Sequence, residues 1–168
     1  MKLFCFGFGQ VAQSFVDHLL NFNDDLRLTT TSRKNTSELT FKNLKYFNYE
    51  FNENDFDKDL INPLQESDHI LISVPPINGK DMFIERLVKN NLNLLNLKWL
   101  TYLSSTSVYG NHDGAWVNED SITNPQTLAG KNRLNVENDW LSIGTKNSLP
   151  VQIFRLSGIY SDRYNAIT

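Results

Sequence analysis

The chain has a single cysteine, Cys5, so no internal disulfide can staple it. It also lacks any apolar run near the roughly 18 residues that a bilayer span requires, which argues against a membrane partner. The apolar start is broken by Gly7 and Gly9 and followed at once by polar residues, unlike a secretory signal. Basic excess is missing too: 16 Lys and Arg face 19 Asp and Glu, a net charge of −3 with a pI near 5.6. A nucleic-acid partner is therefore not expected. What is present is 168 residues, 40% hydrophobic and 21% charged, a globular composition sufficient for one packed domain. The expected compartment is the cytoplasm.

Leu3 to Phe6 is a continuous apolar run, as in a parallel strand buried on both faces, and Cys5 within it reads as a small buried hydrophobe. A glycine turn follows. From Gln10, residues Val11, Phe15, Val16, Leu19 and Leu20 recur at helical spacing. Leu26 to Thr31 is a second strand, Lys45 to Tyr49 a third, Ile70 to Val74 a fourth stopped by Pro75 and Pro76, Trp99 to Leu103 a fifth and Val151 to Leu156 a sixth. Helices are expected at 81–90 and 133–141. The acidic stretch from Glu50 to Asp59, around Phe51 and Phe56, reads as a solvated loop and helix face, with a cation site as the alternative. Alternating strands and helices predict an α/β, Rossmann-type doubly wound fold, with a mainly parallel sheet and helices on both faces.

Gly7, Gly9 and Ala12 form G-x-G-x-x-A between the first strand and the first helix. In such a turn the first glycine allows a sharp bend, the second admits a pyrophosphate to the backbone, and the small third residue lets helix and strand pack. Gly7, Gly9, Gln10 and Val11 are the expected pyrophosphate contacts, against the alternative of a purely structural turn. NAD-specific sheets usually carry an acid about 20 residues on, at the end of the second strand. Here Ser32 and Arg33 stand there instead, with Lys34 following. A hydroxyl and a cation suit a 2′-phosphate, so NADP is expected ahead of NAD unless this is an ordinary basic turn.

Three motifs occur in order: Gly7 to Ala12, Ser104-Ser105-Thr106-Ser107-Val108-Tyr109-Gly110, and Arg155-Leu156-Ser157-Gly158-Ile159-Tyr160. Together they resemble the extended short-chain dehydrogenase/reductase family of the NAD(P)-dependent epimerase/dehydratase type, nucleotide-sugar epimerases included. Ser73-Val74-Pro75-Pro76 and Gly114-Ala115-Trp116-Val117, then Glu119, are similar to its atypical YeeZ-like members. The resemblance implies Val74, Pro75 and Ser104 among the cofactor contacts, and a sugar-like or carbonyl substrate. It also implies Ser105 as the hydroxyl that bonds the reacting carbonyl or alcohol. Arg133 stands at the position of the family lysine, which puts Ala129 where the family has its tyrosine acid/base. Arginine can bind ribose or phosphate but not relay a proton. A solvent-facing helix arginine is its other reading. Tyr102 and Tyr109 are the remaining candidate phenols.

No metal site is suggested by His18, His69 and His112, of which His112 is the best placed for catalysis. Trp116 either flanks the pocket or covers the sheet edge. Residues 1–160 are expected to form the dinucleotide-binding domain, with 161–168 a tail opening a missing substrate lobe. Apolar surface around Ile153, Phe154, Ile159 and Tyr160 would then favour self-association as a twofold homodimer, unless the last residues fold back over it. Two functions stay open: an oxidoreductase or epimerase of weak activity, and a non-catalytic cofactor sensor, interaction module or inactive fragment.

Overall fold

A computed structural model describes residues 1–34, 36–52, 57–89 and 93–160. The expected tail, Phe56 and Asn90 lie outside the described residues. One sheet contains β1 (Lys2–Phe6), β2 (Arg27–Ser32), β3 (Ser37–Phe41), β4 (Leu44–Glu50), β5 (His69–Ile72), β6 (Trp99–Ser105) and β7 (Val151–Leu156), in the order β3-β4-β2-β1-β5-β6-β7. Every neighbouring pair is parallel except β3 and β4. With the edge strand β3 set aside, this is the doubly wound dinucleotide-binding order, and it reverses direction between β1 and β5. The helices are α1 (Gln10–Leu20), α2 (Ile61–Glu66), α3 (Met82–Lys89) and α4 (Leu128–Asn147).

The apolar run at the start takes the centre of the sheet because both its faces are covered. Alternate side chains of a strand point to opposite faces. Phe4 and Phe6 enter a core with Ile70, Ile72, Leu64, Phe83 and Trp140, while Leu3 and Cys5 enter a second core with Ala12, Val16 and Leu28. So α1 covers one face and α2, α3 and α4 the other. Aromatic contacts tie the larger core together: Phe6 stacks on Phe83 at 4.0 Å between centroids, and Phe83 meets Trp140 at 5.5 Å. Cys5 is fully buried, and that burial pushes its thiol pKa far up, as a structural hydrophobe requires.

Several expectations need correction. The antiparallel β3 was not anticipated; its outward residues are polar and Leu39 is exposed, so it carries little apolar signal. β5 stops at Ile72, two residues before Val74, since Ser73 already turns into the loop. α4 starts at Leu128 because Thr127 caps it, accepting from the Gly130 amide at 3.0 Å, and it runs on to Asn147. Trp116 is wholly exposed and covers nothing; Ile153 packs on the larger core, whereas Phe154, Ile159 and Tyr160 are exposed.

A buried ion pair joins α4 to β7. Glu137 accepts from Arg155 Nη2 at 2.8 Å and Nε at 3.1 Å, and the Ser104 hydroxyl donates to its other oxygen. Glu137 is 1% exposed, so cutting the pair strands a charge away from water. Arg155→Met, which leaves the Glu137 carboxylate buried without its partner, should cost about 3 kcal/mol of unfolding free energy, read from a shift of the urea midpoint at unchanged slope.

Candidate functional site

The glycine turn is fixed from both sides at the point where the sheet reverses. Gly7 has φ +81°, a conformation that L side chains rarely adopt, and a Cβ there would meet Ser73 Oγ at 2.9 Å and Val74 Cγ1 at 3.0 Å. Its amide donates to Thr31 Oγ1 at 3.1 Å, and Ser73 Oγ bonds both the Phe6 and Gly7 carbonyls at 3.1 Å. Gly9 differs: a Cβ on it would meet nothing within 4 Å. It caps α1 without any side-chain hydrogen bond, so the first-turn amides face open space. Ala12 is fully buried and lets α1 approach the sheet.

Two cavities meet at this turn. One, of about 470 Å³, is lined by Gly7, Gly9, Ser32, Arg33, Val74 and Pro75, with Thr31 and Ser73 beside them. The other, of about 350 Å³, is lined by Gly9, Gln10, Val11, Ser104, Ser105 and Arg133, again with Ser73. The residues singled out from the sequence are thus gathered along one cleft at the ends of β1, β2, β5 and β6. Ser32 Oγ accepts from the Lys34 amide at 3.1 Å and from Asn48 Nδ2 at 3.0 Å, which leaves its own proton free to donate. Arg33 is exposed and makes no ion pair with any described residue. Ser104 is buried and its hydroxyl is engaged by Glu137, so it offers the cleft little more than its backbone. Ser105 Oγ accepts from the Ser107 amide at 3.2 Å and likewise keeps a proton to give.

Arg133 is not a solvent-facing helix residue. Its Nη1 donates to the Leu103 carbonyl at 2.6 Å and to the Tyr102 hydroxyl at 3.1 Å. Tyr102 is fully buried, and desolvation outweighs the nearby guanidinium, raising its pKa to about 12. It cannot act as a proton donor and acceptor near neutrality. Tyr109 is no substitute, because its hydroxyl accepts from Arg155 Nη1 at 3.0 Å in a separate groove by β7. Ala129 lies exposed one helical turn before Arg133, on the same side of α4. His112 bonds the Ile122 carbonyl and does not line the cleft. Among the described residues no His, Cys, Asp and Glu cluster could hold a metal, and no helix is long and apolar enough to cross a membrane.

No protein-family model and no curated protein matches the chain. Solved structures do. A functionally unknown conserved protein from Silicibacter pomeroyi is 27% identical, with a TM-score of 0.68 over 94% of this chain and 52% of its own. The UDP-glucuronic acid 4-epimerase of Bacillus cereus, in complex with NAD, is 20% identical with a TM-score of 0.69 over 98% and 59%. The dTDP-glucose 4,6-dehydratase of Bacillus anthracis, also in complex with NAD, is 16% identical with a TM-score of 0.69 over 95% and 55%. The chain has the Rossmann fold of the epimerase/dehydratase structures. It spans little more than half the length of those proteins.

Within this epimerase/dehydratase fold, sequence reasoning did not find the part played by Glu137, the hub between Ser104 and Arg155. A lone acid inside a polar helix gives no signal of burial. Asp81 was missed for the same reason: it is buried at the start of α3, accepting from the Phe83 and Ile84 amides and the Trp140 indole. Burial raises its pKa despite those bonds.

Tyr102 provides a pH test. Its folded pKa is raised above the value of about 10 for a free phenol, so its contribution to stability is complete below pH 10 and is lost as pH climbs toward 12. Wild-type protein should lose on the order of 2 kcal/mol more than Tyr102→Phe between pH 10 and 12, measured by denaturant unfolding at each pH.

Proposed function

We propose that this chain binds NADP(H) in the cleft and that it is a nucleotide-sugar-epimerase-like member of the epimerase/dehydratase group. The observation that carries the reading is the uncapped start of α1 behind Gly9, where open space meets unpaired amides and the positive end of the helix dipole. A diphosphate suits that cradle. Gly7, Gly9, Gln10 and Val11 would hold it, while Ser32 and Arg33 would meet a 2′-phosphate and Val74 and Pro75 would border the adenosine side. When bound, the dinucleotide supplies a hydride acceptor or donor. Ser105 then orients a carbonyl or alcohol by donating its free proton, and Arg133 adds fixed positive charge beside it.

A second reading, a non-catalytic sensor or interaction module, is favoured by Ala129. General acid/base catalysis is worth about 10² to 10⁴ in rate, and among the described residues no phenol lines the 350 Å³ cavity to provide it. Exposed Phe154, Ile159 and Tyr160 support the related proposal of self-association, which light scattering over a concentration series would test; a clean monomer at high micromolar concentration would remove it.

In fluorescence titrations NADPH should bind more tightly than NADH, and Arg33→Ala should weaken NADPH by about tenfold while sparing NADH. Equal or absent binding of the two would overturn the NADP assignment. Oxidation of bound NADPH on adding keto or sugar-nucleotide substrates, abolished in Ser105→Ala, is the outcome expected of an enzyme. Tight binding without turnover would identify the sensor.

A further inference from the structure

Arg133 and Arg155 are built alike and finished differently. Arg155 presents its Nε to Glu137 Oε1 at 3.2 Å and its Nη2 to Oε2 at 2.8 Å, the side-on fork in which a guanidinium grips a carboxylate with two parallel hydrogen bonds. Arg133 uses both protons of Nη1 on neutral oxygens, those of Tyr102 and Leu103, and no described residue accepts from its Nε or Nη2. The corresponding edge is therefore left open. Arginine does not deprotonate, and Arg133 is largely withdrawn from water, so its charge calls for an anion.

Among the described residues no acid furnishes that anion. Arg133 is the one charged residue among the described residues lining the 350 Å³ cavity. Asp81 feels its charge, but the Asp81 oxygens are taken by the Phe83, Ile84 and Trp140 donors. Glu137 is taken by Arg155 and Ser104.

We infer that the Nε/Nη2 edge of Arg133 receives the carboxylate of a small substrate whose carbonyl or alcohol lies beside Ser105. The inference rests on the cofactor reading above and names the substrate class for the same cleft. One fixed positive charge matches a carboxylate monoanion, a phosphate monoester dianion would be only half neutralised, and the dinucleotide's diphosphate is assigned to the amides at the start of α1. A ribose diol, being neutral, would leave the guanidinium uncompensated. Gly9, Gln10 and Val11 line the same cavity of about 350 Å³, so a bound dinucleotide would take part of it, and the space left beside Ser105 and Arg133 suits an acid of a few carbons better than a nucleotide sugar. Tyr102 is the positioning residue. Its buried hydroxyl, with the Leu103 carbonyl, holds the guanidinium in one orientation before any ligand arrives, which lowers the entropy lost on binding.

Ligand-observed NMR on the full chain tests this, with pyruvate as the carboxylate probe and methyl pyruvate as its neutral ester, each with and without NADPH. Pyruvate should bind saturably and the ester should not. That comparison needs no variant. Arg133→Met should weaken pyruvate by about tenfold or more, as expected for loss of charge-assisted bonds. Tyr102→Phe should weaken it by a smaller factor. Equal binding of acid and ester, absence of pyruvate binding, or pyruvate binding unchanged in Arg133→Met would overturn the inference while leaving the cofactor reading intact. Loss of NADPH affinity in Arg133→Met without an effect on pyruvate would also overturn it, by assigning Arg133 to the cofactor ribose. Pyruvate binding that depends on Arg133 in a protein that binds no NADPH would sustain the anion site and sink the cofactor reading.

Discussion

The end of β1 is the point on which the site depends. Phe6 and Gly7 are tied on one side to Thr31 of β2 and on the other to Ser73 after β5, through hydrogen bonds of about 3 Å. Because those ties cross the place where strand order reverses, they fix where the chain leaves the sheet and the direction in which α1 begins. The two cavities on either side of Gly9 follow from that geometry. A side chain at Gly7 would press on Ser73 and Val74 and disturb three strand ends at once.

Charge is distributed around this point in an ordered way. The described acids near the cleft are already satisfied, Asp81 by amides and an indole and Glu137 by Arg155. The cations are not: Arg33 and Arg133 line the two cavities without a carboxylate partner among the described residues. A protein with a net charge of −3 thus keeps a positive cleft, since the field inside a cavity is set by the groups that line it and not by the sum over the chain.

Much of the fold was legible because it rests on strong local signals. The run Leu3 to Phe6, the glycine turn and the helical spacing after Gln10 specify strand, turn and helix with little ambiguity, and Val151 to Leu156 was recovered with its bounds. β3 was hidden because an edge strand with one solvated face has no apolar run to reveal it, and its turn at Lys42 uses positive φ without glycine. The residues of the cleft were readable one by one from spacing and resemblance. Their electrostatic state was not, because it depends on long-range partners: Arg133 meets Tyr102 and Leu103 from 31 and 30 residues away, and Glu137 meets Ser104 from 33.

Between the two glycines of the turn, Phe8 borders the larger cavity and its ring rests on Phe41 and Tyr46, at 5.3 Å from each ring, so the glycine turn is anchored in the β3–β4 hairpin. The Phe8 carbonyl is held in turn by Gln13 Nε2 at 2.9 Å. Moving Phe8 out of this position would break its contacts with both rings at the sheet's edge. An edge strand of the sheet and the backbone that faces the cleft are thus joined through one aromatic side chain.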